Sequence, residues 1–231
     1  EWTDVRLFSD PPSKGLGKAR PGELMISQLG SALGPVRERL DVISAYFIPG
    51  KGGTDYFRSI REAGTEVTIL TNALKSTDVA MVHAGYSKYR RRLLEAGIAL
   101  YELKPKPGLA AGASELSATG SSGSSLHAKT LSVDGQRVFV GSFNFDPRSV
   151  YLNCEMGFLI ESASMARRIH EAFTRDLAQS AYRVELRDGA LRWIETGPDG
   201  ATTVLENEPD ASILDRIMLT VFGWLPIEWL L

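Results

Sequence analysis

From Leu40 onward, apolar runs of strand length alternate with segments whose apolar residues recur at helical spacing. That alternation restricts the chain to an α/β architecture, because each strand brings a helix that must cover the sheet it joins. Residues 41–48 (DVISAYFI) read as a strand, followed by a glycine-rich turn over 49–53 and a helix with Tyr56, Phe57 and Ile60 on one side. Gly64 ends that helix, and residues 66–71 (EVTILT) form the next strand. A longer helix follows, capped by Ser76 or Thr77, with Val79, Val82, Tyr86, Tyr89 and Leu93 along one stripe. Gly97 closes it before a strand over 98–103. Upstream, Pro21 opens a helix that runs to Leu33 and stops at Gly34-Pro35.

Residues 104–125 break the pattern. They are mostly Gly, Ser, Ala and Pro, so 108–125 is expected to be poorly ordered. Beyond them, 126–133 and 137–141 are two strands joined at Asp134-Gly135, a strong hairpin signal. A strand over 154–160 and a helix over 162–181 complete a mixed sheet sandwiched between helices. From Tyr182 a second Asp-Gly hairpin and a last helix near 211–222 read as an appendage, which divides the chain into 1–181 and 182–231.

A chain of 231 residues with 43% hydrophobic and 23% charged residues can bury a core without disulfides or metal. Lys+Arg 26 against Asp+Glu 28 leaves a net charge of -2, which disfavours a whole-surface grip on nucleic acid and permits only a local basic groove. Cys154 has no second cysteine to pair with. The chain opens Glu1-Trp2-Thr3-Asp4, without an initiator Met or a signal peptide, and is expected to be part of something longer. No run is long and apolar enough to cross a bilayer.

The hairpin over 126–141 carries the chemistry. His127 and Lys129 alternate onto one strand face, Asp134 follows after four residues, and Gly141-Ser142 and Asn144 follow after six more. Lys offers a positive charge, Ser and Asn offer donors to phosphate oxygens, and His attacks phosphorus or carries a proton near neutral pH. Nothing in this set calls for a metal or another cofactor, and no Cys, His or carboxylate group has metal-ligand spacing.

With His127, Lys129, Asp134, Gly141, Ser142 and Asn144 all present, the pattern resembles the HKD signature of the phospholipase D superfamily. Around it, residues 46–50 (YFIPG), 70–72 (LTN), 83–86 (HAGY), 144–149 (NFDPRS), 152–155 (LNCE) and the tail from Glu208-Pro209 to 225–228 resemble the C-terminal half of bacterial cardiolipin synthases. The resemblance implies phosphatidyl transfer through a phosphohistidine, on phosphatidylglycerol or a similar phospholipid, peripheral to the bacterial cytoplasmic membrane. It makes His127 and Lys129 catalytic, with Asp134 in the same motif. Glu155 is the carboxylate expected to orient His127, and Ser142 and Asn144 are expected to bind substrate oxygens. His127, as the second motif's histidine, resembles the acid/base partner more than the nucleophile.

Superfamily sites use two motifs, and this chain holds one, since neither His83 nor His170 begins another. The partner is then an N-terminal half carrying the first motif, or a second copy meeting this one through the motif face. Tyr46, Thr71 and Asn72 sit at strand ends where ligands gather, or are ordinary polar strand ends. Residues 88–92 (KYRRR) are a basic patch for anionic lipid or nucleic acid, or the wet face of a helix. The tail with Trp224, Trp229 and Leu230 lies on a membrane or docks on the core. The alternatives to transfer are a phosphodiesterase or nuclease on the same motif, and a non-catalytic anionic-lipid domain.

Overall fold

Among the residues the structure describes, ten strands, numbered in chain order, form one mixed sheet in the order β1-β7-β6-β5-β2-β3-β4-β8-β9-β10. The computed structural model describes residues 2–77, 79–105, 126–175 and 177–224. The strands are β1 (Val5–Ser9), β2 (Arg39–Ser44), β3 (Glu66–Asn72), β4 (Ala99–Leu103), β5 (Lys129–Val133), β6 (Arg137–Gly141), β7 (Met156–Glu161), β8 (Ala181–Arg187), β9 (Ala190–Thr196) and β10 (Thr202–Leu205). The helices are α1 (Met25–Leu33), α2 (Gly50–Glu62), α3 (Ala80–Glu95), α4 (Pro147–Tyr151), α5 (Ala163–Arg175), α6 (Leu177–Ser180) and α7 (Ile213–Trp224). The expected mixed sheet between helices is therefore present.

β2, β3 and β4 are parallel, and α2 and α3 make the two crossovers. Alternation divides β2 cleanly. Leu40 and Val42 face the larger core with Met25 and Leu29 of α1, Phe57 of α2 and Tyr86 and Leu93 of α3. Ile43 faces a smaller core with Leu70, Leu126, Phe173 and Leu177, which α5 and α6 cover. All of these centre-sheet side chains are buried, which fits a sheet covered on both faces.

The turns follow their chemistry. Asp188 and Gly189 stand at φ 52° and 72° between Arg187 and Ala190, as a two-residue hairpin requires. Asp134 and Gly135, at φ 52° and 62°, begin a three-residue loop, because Val133 pairs with Arg137. Pro21 opens only a short 3-10 turn over Pro21–Glu23, and α1 begins at Met25 after an extended Leu24. Neither Ser76 nor Thr77 caps α3, which starts after Val79; the Ser76 hydroxyl bonds the Leu103 carbonyl instead.

The segment from Tyr182 extends the main sheet, with β8 antiparallel to β4. Its helix α7 packs on α3. β1, too short for a periodic signal, adds the opposite edge by pairing with β7. Residues 108–125, expected to be poorly ordered, and the tail residues 225–231 lie outside the described residues.

Candidate active site

The carboxyl ends of β2 and β3, the start of β5 and the end of β6 meet at one end of the sheet. Leu126 anchors the approach to β5. Its side chain is buried in the smaller core, and its backbone is clamped by Asn72, whose amide donates to the Leu126 carbonyl (3.2 Å) and accepts from the Leu126 N–H (2.9 Å). The same amide donates to Ala45 O at 3.1 Å. From this anchor the chain emerges at His127, whose ring is exposed and has no hydrogen-bond partner among the described residues. Lys129 opens β5 opposite Ser44 and donates to the His127 carbonyl at 2.8 Å, so the ammonium sits beside the histidine.

On the paired strand, Gly141 has a packing reason. A Cβ there would meet Met156 O at 2.5 Å and the Phe139 ring at 2.9 Å, and a Cβ on facing Gly157 would meet that ring at 2.3 Å. Past Gly141, the Asn144 side-chain Oδ1 accepts from Tyr46 N–H at 3.3 Å, Phe145 N–H donates to Ser44 Oγ at 3.1 Å and Ile48 N–H donates to Phe145 O at 2.5 Å. The segments after β2 and β6 are thus zipped together. The Asn144 side-chain N–H₂ makes no hydrogen bond among the described residues, which leaves two donors at this edge.

Glu155 departs from expectation. Its carboxylate is buried and accepts from the hydroxyls of Ser142 and, at 2.8 Å, Ser149, with no bond to the His127 ring. Held by these two hydroxyls, Glu155 ties the 142–149 loop together, and the expected contact with the imidazole is not made in this structure. Behind it lies a buried ion pair, Lys14 to Asp10 at 2.5 Å, with Lys14 also donating to Ser149 O at 2.7 Å and Asp10 accepting from Glu155 N–H at 2.9 Å. Sequence reasoning did not find Asp10 or Lys14; their i,i+4 spacing was the available signal, and nothing local marked them as buried. Asp146 caps α4 by accepting from Ser149 N–H at 2.8 Å, and burial lifts its carboxyl to about 6.

Asp134 is not at this edge. It lies at the other end of the hairpin, seven residues or about 20 Å of strand from His127. There it accepts from the N–H groups of Arg37 (3.1 Å), Glu38 (2.8 Å) and Arg39 (3.1 Å), 3.6 Å from the Arg137 guanidinium. Its role is structural. Thr71 and Asn72, expected as substrate contacts, are buried, and both side chains bond Ala45 O. Tyr46 reaches the site through its backbone N–H, and its side chain is half-buried.

The basic run is likewise split. Arg90 is buried, ringed by Glu102, Glu208, His83, Tyr86 and Trp193: its Nη1 donates to Glu208 at 2.8 Å and its Nε lies 3.1 Å from Glu102. His83 Nε2 is 2.6 Å from Glu208, and Trp193 donates to Glu102 at 2.9 Å. Burial works against charge on Glu208, but Arg90 and His83 outweigh it and hold its carboxyl below the usual range. Ligand atoms of His83, Glu102 and Glu208 come within 4.8 Å of one another, as in a metal site, with the Arg90 guanidinium touching all three.

The chain matches the family model described as cardiolipin synthase, PLD-like domain, over residues 25–177. It is 43% identical to cardiolipin synthase C of Escherichia coli K12 over all 231 residues, which cover 49% of that protein. The chain thus spans about half the length of that relative. Its fold is shared by Nuc, a phospholipase D family member from Salmonella typhimurium (TM-score 0.54, 18% identity, 80% of this chain and 99% of that one). It is shared also by phosphatidylserine synthase of Haemophilus influenzae Rd KW20 (TM-score 0.59, 14% identity, 98% of this chain and 48% of that one).

Proposed function

The chain belongs to the PLD-like domain family of cardiolipin synthases, and on that premise we propose that it supplies one of two HKD motifs to a phosphatidyltransferase acting on phospholipid phosphodiesters. The observation that carries this reading is the pairing of a filled motif with an uncommitted imidazole: His127 is exposed, its ring has no hydrogen-bond partner among the described residues, and the Lys129 ammonium bonds its carbonyl.

One histidine nitrogen attacks phosphorus, a P–N bond forms, and the P–O bond to the leaving alcohol breaks as the other histidine gives that oxygen its proton. An acceptor alcohol then attacks phosphorus, the P–N bond breaks, and the acceptor's proton passes to the second histidine. His127 takes the acid/base role in this scheme. Lys129 and Asn144 stabilise the charge on the non-bridging oxygens. No acid among the described residues bonds the His127 ring.

The other motif belongs to an N-terminal half or to a second copy. In support, Leu7, Val140, Met156 and Phe158 form an exposed apolar patch on one face of β1, β7 and β6, and Ser142 follows Val140 by two residues. A partner lobe seated there would cover apolar surface and meet the motif edge. No helix among the described residues is long and apolar enough to cross a membrane. We place the protein peripherally on the bacterial cytoplasmic membrane, where its substrate lies.

Trapping is the direct test. The intact protein, incubated with phosphate-labelled phosphatidylglycerol and acid-quenched, is expected to carry label on histidine. Labelling by DNA instead would make it a nuclease, and labelling by neither would leave an anionic-lipid-binding domain.

A further inference from the structure

Beside the motif, on the larger-core face of the sheet, lies an apolar cavity of about 810 Å³ between α1, α2 and α4. This is within the size range of sites that enclose small-molecule ligands. Its floor includes Leu131 and Val133 of β5, and Phe143 and Phe145 from the segment that carries Asn144. Lys129 alternates with Leu131 and Val133, so the stripe that floors the cavity ends at the motif lysine. We propose that this cavity holds a fatty acyl chain of the phospholipid whose phosphodiester is engaged at His127 and Lys129.

Three observations select an acyl chain as the occupant. The lining is mostly hydrocarbon, with polar side chains confined to Lys51, Tyr56, Asp146 and Tyr151. Lys51 and Tyr151 are exposed, which suits a ligand with an apolar body and a polar end. The cavity is also lined by Phe143, Phe145 and Asp146, which flank the candidate phosphate donor Asn144, so a chain ester-linked near the phosphodiester has apolar lining within a residue of that donor. Lipid specificity would then come from the length of chain this face accommodates, while the motif reads the phosphate. This inference rests on the phosphatidyltransfer reading for its substrate.

Gly30 and Gly52 make the test clean. Both line the cavity, both are exposed, and a Cβ at either meets nothing within 4 Å. Each lies in a helix, so replacing it costs no helix propensity. A tryptophan at either position blocks the entrance. The first measurement is titration of the intact protein with saturated fatty acids from eight to sixteen carbons, competing against a fluorescent anthroyloxy fatty acid. Each methylene that enters the cavity should tighten binding about fourfold, and Gly30→Trp or Gly52→Trp should weaken the long chains at least tenfold with little effect on the shortest. Wild-type protein that takes up no probe, or variants that bind as well as wild type, would overturn the proposal and mean that protein or solvent fills the cavity.

The second measurement is turnover of dibutyroyl against dipalmitoyl phosphatidylglycerol in mixed micelles. The variants should keep the short-chain rate and lose the long-chain preference. Failure of wild type on both substrates would refute phosphatidyl transfer, and the binding titration would still decide the cavity. Equal preference in wild type and variants would overturn the acyl site alone.

Discussion

Two histidine clusters in this molecule are built from similar parts and do opposite things. Around Arg90, the charges of Glu102, Glu208 and the guanidinium are compensated by one another inside the protein, and the aromatic faces of Tyr86 and Trp193 close the rest. At the motif edge, His127 is exposed, and among the described residues its ring is unbonded and the two amide donors of Asn144 are unspent. Burying a charge is tolerable only when its partners are present, so the first cluster stores its interactions in the folded state. The second leaves interactions unmade, which a phosphate can complete. A polar group's saturation, rather than its residue type, separates the structural cluster from the candidate chemical one.

The sharpest way to break this contrast is His127→Ala in the intact protein. Transfer should fall by about a thousandfold or more, with the unfolding midpoint unchanged, because the ring contributes chemistry and no packing. Retained turnover, or a destabilised fold, would erase the distinction.

Arg90→Met tests the other side. Removing the guanidinium leaves two buried carboxylates facing each other, and denaturant unfolding should show a loss of about 3–5 kcal/mol. Replacing Arg90, Glu102 and Glu208 together by apolar residues of similar volume should cost less than the single change. A larger cost for the triple variant would mean the cluster does more than balance its own charges.

Asp134 sits inside the motif by sequence and outside the site by structure, so Asp134→Ala should behave like the buried cluster. It strips an acceptor from three backbone N–H groups, and a loss of about 2 kcal/mol in stability is expected, with activity per folded molecule within a few fold of wild type. A collapse of activity in fully folded protein would return Asp134 to the reaction.

The remaining effect is one of pH and belongs to Asp146, the cap beside Asn144. Burial lifts its carboxyl to about 6 against an ordinary value of 3.8. A carboxyl raised on folding favours the folded state most below its unfolded value, and that advantage is lost as pH rises from about 4 through about 6. Comparing urea midpoints of wild type and Asp146→Asn across that window should show the variant gaining on wild type as pH increases. Parallel profiles would mean the carboxyl titrates normally.

Much of this was legible because it is local. The strand and helix periods of residues 41–103 appear in the sheet and its crossovers, and both Asp-Gly pairs sit in turns at positive φ. The grouping of His127, Lys129, Ser142 and Asn144 comes from one hairpin, whose two strands must run side by side once its turn forms. Helix starts were less legible: α3 ignored both candidate caps because the Ser76 hydroxyl had a better use at the end of β4.

The sequence by itself determined the layered α/β order, the hairpin and the identity of the groups at its open end, since each depends on residues a few positions apart. Only the tertiary structure decided which polar residues would be spent. Arg90 became a core residue because Glu208, 118 positions away, arrived beside it. Glu155 turned to Ser142 and Ser149 because the Asp10 and Lys14 pair fixed its backbone from the far end of the chain. Asp134 was carried away from His127 by the length of a strand, and used there to hold residues 37–39. A polar side chain's role depends on which partners reach it after folding, and those partners come from distances along the chain that no local pattern records.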